Sequence, residues 1–279
     1  MAGEEEEYDA SVAEIIKNFN DSDDGEDSWE AGHFQDVDDL DEQFYGNIEQ
    51  AGEGFFITAL KLFLQTDVAP GKQFHCSPRE KDNAPGDVPL IHPIRALVKV
   101  MDAAPDNSII RMYIYSIDDP YVIDTMVHCA KSKYIRVILH PSQKSIEKIA
   151  QFCRNFSRGP DGTSPRHLVE TSMEFRAFKL DGERCNEYTS MHEKKIITPD
   201  LTVVGSYSLT YQARVWNSES IYCIATTDQD TRRFDEEWAS LSERVIRIFN
   251  PNPSLFTRVP KKRKGSDVAR IVKKKSEGG

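Results

Sequence analysis

Apolar residues along the middle of this chain recur at two spacings, three to four residues apart in some blocks and two apart or continuous in others, and the blocks alternate. Phe55, Phe56, Leu60, Leu62 and Phe63 give a helix-like apolar face. The segment 71–78 predicts a short strand, followed by a loop at 79–89 rich in Pro, Gly and charge. Ile94, Leu97, Val98, Val100 and Met101 predict a helix stopped by Pro105. A strand at 109–115 follows, and Asp118-Asp119-Pro120 supplies an N-cap and a first-turn proline for a helix through Val122, Ile123, Met126 and Cys129. The continuous run 134–139 predicts another strand, 142–156 a helix, and 174–180 a strand. Further on, the pattern predicts strands at 191–198, 201–204 and 220–225, a short helix at 210–216, and an amphipathic helix over 231–249 carrying Phe234, Trp238, Leu241, Val245, Ile246 and Ile248. Strands alternating with helices of about 10–15 residues imply an α/β fold, a layered α-β-α sandwich around a mixed sheet, with chemistry at the strand ends.

The flanks have a different composition. Residues 1–45 hold 17 Asp and Glu against Lys17 alone, and residues 258–279 hold 9 Lys and Arg against Asp267 and Glu277. The formal net charge of −11 is therefore the sum of two opposed tails and a nearly neutral middle. An acidic segment so poor in apolar residues buries too little surface to offset its ordering entropy. This predicts three parts: an acidic disordered arm at 1–46, one domain at 47–256, and a basic tail at 257–279. The arm is either a solubilising tail or a partner-binding segment, through its islands Val12-Ile15-Ile16-Phe19 and Phe34-Val37-Leu40. In the basic tail, Lys261, Lys262, Arg263 and Lys264, with Lys273-Lys274-Lys275 beyond, have the form of a nuclear localisation signal read by an import receptor. The alternative is a nonspecific polyanion contact.

Cys76, Cys129, Cys153, Cys185 and Cys223 are odd in number, scattered, and lack a CxxC pair, which disfavours a disulfide framework or a zinc cluster. The acidic N-terminus is unlike a signal peptide, and no apolar run approaches a membrane span. Together with the basic tail this predicts a soluble protein of the nucleus, with the cytoplasm as a second compartment.

Candidate chemistry concentrates between residues 192 and 219. If 191–198 is a strand, period-two alternation sends His192 and Lys194 to one face and Glu193 to the other. Pro199-Asp200 turns the chain, and Gly205 permits close approach of backbone to a ligand before Ser206 and Ser208. A hairpin of this kind brings the hydroxyls beside His192, and the short helix after it returns Asn217-Ser218-Glu219 to the sheet. An imidazole, an ammonium, two hydroxyls and a carboxylate in one place suit a phosphodiester.

The segment resembles the phospholipase D superfamily, whose motif is H-x-K, an Asp after four more residues, then G-S/G-x-N. It is most similar to the small single-motif members, the endonuclease and cardiolipin-hydrolase branches, where an N-x-E context follows as in Asn217-Ser218-Glu219. The resemblance covers roughly residues 70–248. Two positions depart from it. Five residues separate Lys194 from Asp200, which puts Pro199 in the family's Asp position, and Ser208 stands where the family has Asn, a side chain with an amide's two donors.

The resemblance implies a phosphodiesterase that cleaves nucleic acid or phospholipid without metal or cofactor, through a phosphohistidine on His192. Lys194, Ser206 and Ser208 would neutralise charge on the phosphate, with Gly205 and Asp200 in the substrate-binding turn and Glu219 orienting the imidazole. Since the chain has one motif, the family pattern implies a homodimer whose partner supplies the second histidine. The two departures also fit a second reading, a catalytically impaired scaffold of the same fold that binds a partner protein. His75, His92, His128, His140 and His167 are dispersed without metal-ligand spacing, and Tyr113, Tyr115, Tyr207 and Tyr222 are expected to pack the sheet.

Overall fold

The computed structural model describes residues 60–78, 88–140, 142–156, 162–178, 192–252 and 255. The acidic arm, the basic tail with Lys261, Lys262, Arg263 and Lys264, and the expected strand residues 179–180 and 191 lie outside the described residues. All described elements belong to the compact unit Ala51–Gly279.

Eight strands form one sheet in the order β1-β7-β6-β5-β2-β3-β4-β8. They are β1 (Gln73–Cys76), β2 (Ile109–Ile114), β3 (Tyr134–Leu139), β4 (Met173–Ala177), β5 (Lys195–Ile197), β6 (Leu201–Gly205), β7 (Glu219–Ala225) and β8 (Val245–Ile246). β2, β3 and β4 run parallel and every other pairing is antiparallel, so the sheet is mixed as the alternation of elements implied. The helices are α1 (Pro93–Ala103), α2 (Pro120–Cys129), α3 (Gln143–Asn155), α4 (Pro165–Ser172), α5 (Tyr211–Val215) and α6 (Asp228–Ser240).

Strand alternation divides the core between two layers. Ile110, Met112, Ile114, Ile135, Val137, Leu139 and Phe175 are buried on the face covered by α1 to α4, whose own Ile94, Leu97, Met101, Val122, Met126 and Ile149 are buried against it. On the opposite face Tyr113, Ile138 and Ile197 pack against Phe234, Trp238 and Leu241 of α6 and its C-terminal turn. Arg136 and Arg176 lie 5.6 and 4.2 Å from the Trp238 ring, so cations complete that layer. The result is the α-β-α sandwich.

The helix starts follow local chemistry. Proline occupies the first turn of α1, α2 and α4, where its missing N–H costs nothing. Asp119 caps α2, Ser164 caps α4, and Thr227 with Asp230 forms a capping box on α6. The motif at Ser164-Pro165 signals α4, a helix absent from the sequence expectations.

Two expectations are corrected. The helix expected over 231–249 ends at Ser240, and Val245-Ile246 is a strand pairing with Phe175 and Arg176 at the edge of β4. Helical and strand spacings coincide over so short an apolar run, and the open edge of β4 decides between them. The strand expected at 191–198 is only Lys195–Ile197, so His192, Glu193 and Lys194 precede it as irregular chain.

The pairing fixes where the site lies. In the antiparallel β2–β5 pair Tyr113 opposes Lys195, which carries His192–Lys194 past the C-terminal end of β2, alongside Tyr115. Lys195 also opposes Val204, and Gly205 opposes Ile221, so the end of β6 and the start of β7 reach the same end of the sheet.

Candidate active site

His192 is exposed, Lys194 half-buried. The Lys194 Nζ lies 3.3 Å from both ring nitrogens of His192 and donates to its backbone carbonyl at 3.2 Å. The same ammonium sits 5.4 Å from the centroid of the Tyr115 ring, which in turn lies 5.2 Å from the His192 ring. Burial lowers the Lys194 pKa, and the negative charge of Glu219 partly opposes that shift. The imidazole and the ammonium thus meet on irregular chain, not on the strand face that the alternation implied.

Gly205 brings two strands unusually close. A Cβ on it would stand 2.1 Å from the Ser220 carbonyl oxygen and 2.7 Å from Ile221 Cα. Only glycine lets β6 lie against β7 at this point. Ser206 then donates its N–H to the Ser220 carbonyl at 3.0 Å and accepts the Ser220 N–H on its hydroxyl at 3.1 Å. Its oxygen is therefore partly committed to closing the turn, while its side chain stays exposed. Ser208 is half-buried two residues on. Glu219 opens β7 beside Cys76 of β1 and accepts from Asn217 Nδ2 at 2.9 Å, so the Asn-x-Glu sequence forms a small internal clamp.

Asp200 lies elsewhere. It sits in the β5–β6 turn, where its carbonyl accepts from Thr226 N–H beside the Leu201–Ala225 pair. That is the opposite end of the hairpin from Gly205 and Lys194. The structure therefore gathers His192, Lys194, Gly205, Ser206, Ser208 and Glu219 at one end of the sheet and leaves Asp200 at the other, because a hairpin separates its turn from its open end.

A buried ion pair holds the site's walls together. Asp119 and Arg214 are 0% and 1% exposed, and Arg214 Nε donates to Asp119 Oδ2 at 2.6 Å. Burial works against the ionised carboxylate, whereas the guanidinium contact and the Tyr121 N–H at 2.9 Å support it. Tyr121 and Tyr211 flank the Arg214 guanidinium at 4.6 and 5.1 Å. Asp118 Oδ1 accepts the Tyr211 N–H at 2.8 Å, and the backbone N–H groups of Asp118 and Asp119 both donate to the Leu209 carbonyl. The loop after β2 is thereby tied to α5, which fixes the Gly205–Asn217 stretch relative to Tyr115. His92, which sequence left unassigned, is buried: its Nδ1 accepts from Ile94 N–H at 3.1 Å and its Nε2 donates to the Arg214 carbonyl at 3.0 Å. It is structural.

Sequence reasoning missed Tyr115, which lies beside His192, and His140, which lies against Tyr115. Tyr115, assigned to sheet packing, forms the wall between His192 and Lys194 on one side and His140 on the other; the Tyr115 and His140 rings stack at 5.1 Å and 27°. His140 follows β3 directly and donates its N–H to the Ile114 carbonyl. The available signal was positional, since both residues end adjacent parallel strands.

A narrow crevice bounded by Leu97, Tyr115, Lys194, Gly205, Tyr207 and Ile221 enters this end of the sheet. A wider cavity of about 1030 Å³ lies at the N-terminal ends of β2, β3 and β4, among Tyr134, Arg136, Arg166, Met173 and Phe249. It contains none of the predicted site residues. The convergence of ionisable groups, rather than cavity size, marks the candidate site.

No model of a known protein family matches this sequence, and neither does any curated protein. Solved structures do match. Nuc from Salmonella typhimurium, described as a phospholipase D family member, is 18% identical, with 53% of this chain and 86% of that chain covered and a TM-score of 0.37. NucT from Helicobacter pylori is 14% identical, with 55% and 88% covered and a TM-score of 0.40. The phosphatidylserine synthase of Haemophilus influenzae Rd KW20 is 10% identical, with 74% and 45% covered and a TM-score of 0.43. Over about half of its length the chain is similar to a solved structure described as a phospholipase D family member.

Proposed function

We propose that this protein is a metal-independent phosphodiesterase in which His192 attacks phosphorus. The observation that supports this most directly is the contact between the Lys194 ammonium and the His192 ring, at the mouth of the crevice lined by Gly205 and Tyr115. A phosphate drawn in by the ammonium meets the imidazole at once, which replaces a bimolecular encounter by an oriented one. Lys194 and the remaining donor capacity of Ser206 and Ser208 offset charge on the phosphate oxygens as the P–O bond breaks. Glu219 supplies a negative field on the same side of the sheet.

The substrate class under this proposal is nucleic acid or phospholipid, with nuclear nucleic acid favoured by the basic tail at Lys261, Lys262, Arg263 and Lys264 and by nuclear import through it. Among the described residues no helix is long and apolar enough to cross a membrane. A homodimer remains part of the proposal, and sedimentation tests it.

Hydrolysis of bis(4-nitrophenyl) phosphate in EDTA decides the chemistry. The expected result is turnover by the wild-type protein and a loss of at least about a thousandfold in His192→Ala. Equal rates refute the enzyme. A second reading, the catalytically impaired scaffold, is favoured by the hydrogen bond that already occupies the Ser206 hydroxyl. It predicts no turnover by the wild type. Single-stranded DNA, RNA and cardiolipin vesicles, each incubated with the wild type, identify the substrate; uncleaved nucleic acids exclude the nuclease.

A further inference from the structure

We infer that the cavity at the N-terminal ends of β2, β3 and β4 is a second binding site, for single-stranded nucleic acid, separate from the His192 chemistry.

Arg136, Arg166, Arg176 and Arg247 line this cavity together with the rings of Tyr134 and Phe249, and the carboxylates in the same lining are those of Glu170 and Glu174. The lining is cationic in a chain whose formal net charge is −11. Arg136 and Arg176 belong to the framework: both lie over Trp238, and they pair with Asp235 and Glu174. Arg166 and Arg247 are exposed. Arg166 lies 4.5 Å from the centroid of the Phe249 ring and pairs with Glu170, one turn on in α4, at 3.1 Å. An ion pair so open to solvent holds weakly, so a phosphate can take the guanidinium from it. Arg247 makes no hydrogen bond or ion pair among the described residues.

The aromatic rings select the ligand. Tyr134 opens β3 and is 53% exposed, a large ring left in water among guanidinium groups. A ligand that alternates phosphate with aromatic base uses both, since bases stack on rings and on guanidinium planes while phosphates meet the arginines. Stacking needs a base with a free face, which favours a single strand over a duplex. At about 1030 Å³ the cavity matches sites that enclose whole small molecules, about 300–1,000 Å³, and has more room than a lone phosphate fills. The chain adds charge beyond it: Asn250 lies in the cavity wall, and the tail at 258–279, with 9 Lys and Arg, begins eight residues on. Tyr134 and His192 are at opposite ends of the sheet. The length of a six-residue strand, about 20 Å, separates the two regions.

Fluorescence anisotropy of a labelled single-stranded oligonucleotide tests this, titrated with the full chain carrying His192→Ala so that nothing is cut. In that background Tyr134→Ala should weaken binding about tenfold, whereas Tyr134→Phe, which keeps the ring, should bind like its parent. Arg166→Gln with Arg247→Gln should lower the slope of log affinity against log salt by about 1.4, as two lost phosphate contacts on a single strand require. Affinity unchanged in Tyr134→Ala overturns the inference. So does a duplex of the same sequence that binds as tightly as the single strand. Polyglutamate that displaces the oligonucleotide at equal charge concentration marks a site for acidic peptides instead, and also overturns it. The phosphodiesterase reading fails separately: a wild type that does not hydrolyse bis(4-nitrophenyl) phosphate leaves the binding result standing, and loss of binding in Tyr134→Ala should leave that hydrolysis unchanged.

Discussion

Replacing Gly205 with alanine separates β6 from β7 where the candidate site is built. The added methyl would stand 2.1 Å from the Ser220 carbonyl oxygen and 2.7 Å from Ile221 Cα, both backbone atoms of a paired strand. Neither can swing aside as a side chain does, so the strands must part. Parting sacrifices the Ser206 N–H to Ser220 carbonyl bond and the Ser220 N–H to Ser206 hydroxyl bond. Two hydrogen bonds contribute about 1 kcal/mol each, and forced overpacking costs about 1–3 kcal/mol, so the expected loss is about 3–5 kcal/mol. Urea denaturation at 25 °C measures it, and phosphodiester turnover should fall in the fraction that stays folded, because Ser206 and Ser208 move away from Lys194. Gly71→Ala is the control. Gly71 has φ of 86° and nothing within 4 Å of an added Cβ, so only left-handed backbone strain of about 1–2 kcal/mol applies. A loss below about 1 kcal/mol at position 205, or a larger loss at 71 than at 205, refutes the close-approach argument.

Asp119→Asn leaves the Arg214 guanidinium buried without its counter-charge, so denaturation should show a loss of about 3–5 kcal/mol. A cost under about 1 kcal/mol means that the tyrosines flanking Arg214 suffice. Asp230 gives a pH signature: hydrogen bonds from Lys195 at 2.6 Å and from Thr227 hold its carboxyl at about 2, below an ordinary value of 3.8. A depressed folded pKa stabilises above the unfolded value and loses that contribution as pH falls through the folded one. Between pH 5 and 2, wild type should thus lose about 2 kcal/mol more than Asp230→Asn, as read from urea midpoints across pH. Parallel profiles contradict it. Substituting Lys261, Lys262, Arg263 and Lys264 together with alanine should shift a fluorescent fusion of the full chain from the nucleus to the cytoplasm; unchanged nuclear accumulation removes the import signal.

Much of this protein is legible in one dimension because the information is local. The apolar runs at 109–114 and 134–139 are buried parallel strands, and Asp119-Pro120 starts a helix through chemistry confined to a few residues. The nearness of His192 and Lys194 reflects their two-residue separation, although the strand expected to align them starts only at Lys195. Where local signals are ambiguous, pairing partners settled the outcome: Val245-Ile246 fits a helix or a strand, and the free edge of β4 makes it a strand. Asp200 shows a related limit, since its nearness to Lys194 in sequence became distance once the hairpin formed.

Long-range contacts hold what remains. Asp119 and Arg214 stand 95 residues apart in sequence, and neither residue type predicts burial. Tyr115 meets the rings of both His140 and His192, because β3 and β5 flank β2, the strand that Tyr115 follows. The sequence by itself determined the alternating elements and the cluster of phosphate-seeking residues, since periodicity and short-range spacing are properties of neighbouring residues. Which groups share the site was decided by tertiary structure alone: strand order and register are set by summed packing and hydrogen bonding over the whole sheet, which no local pattern encodes.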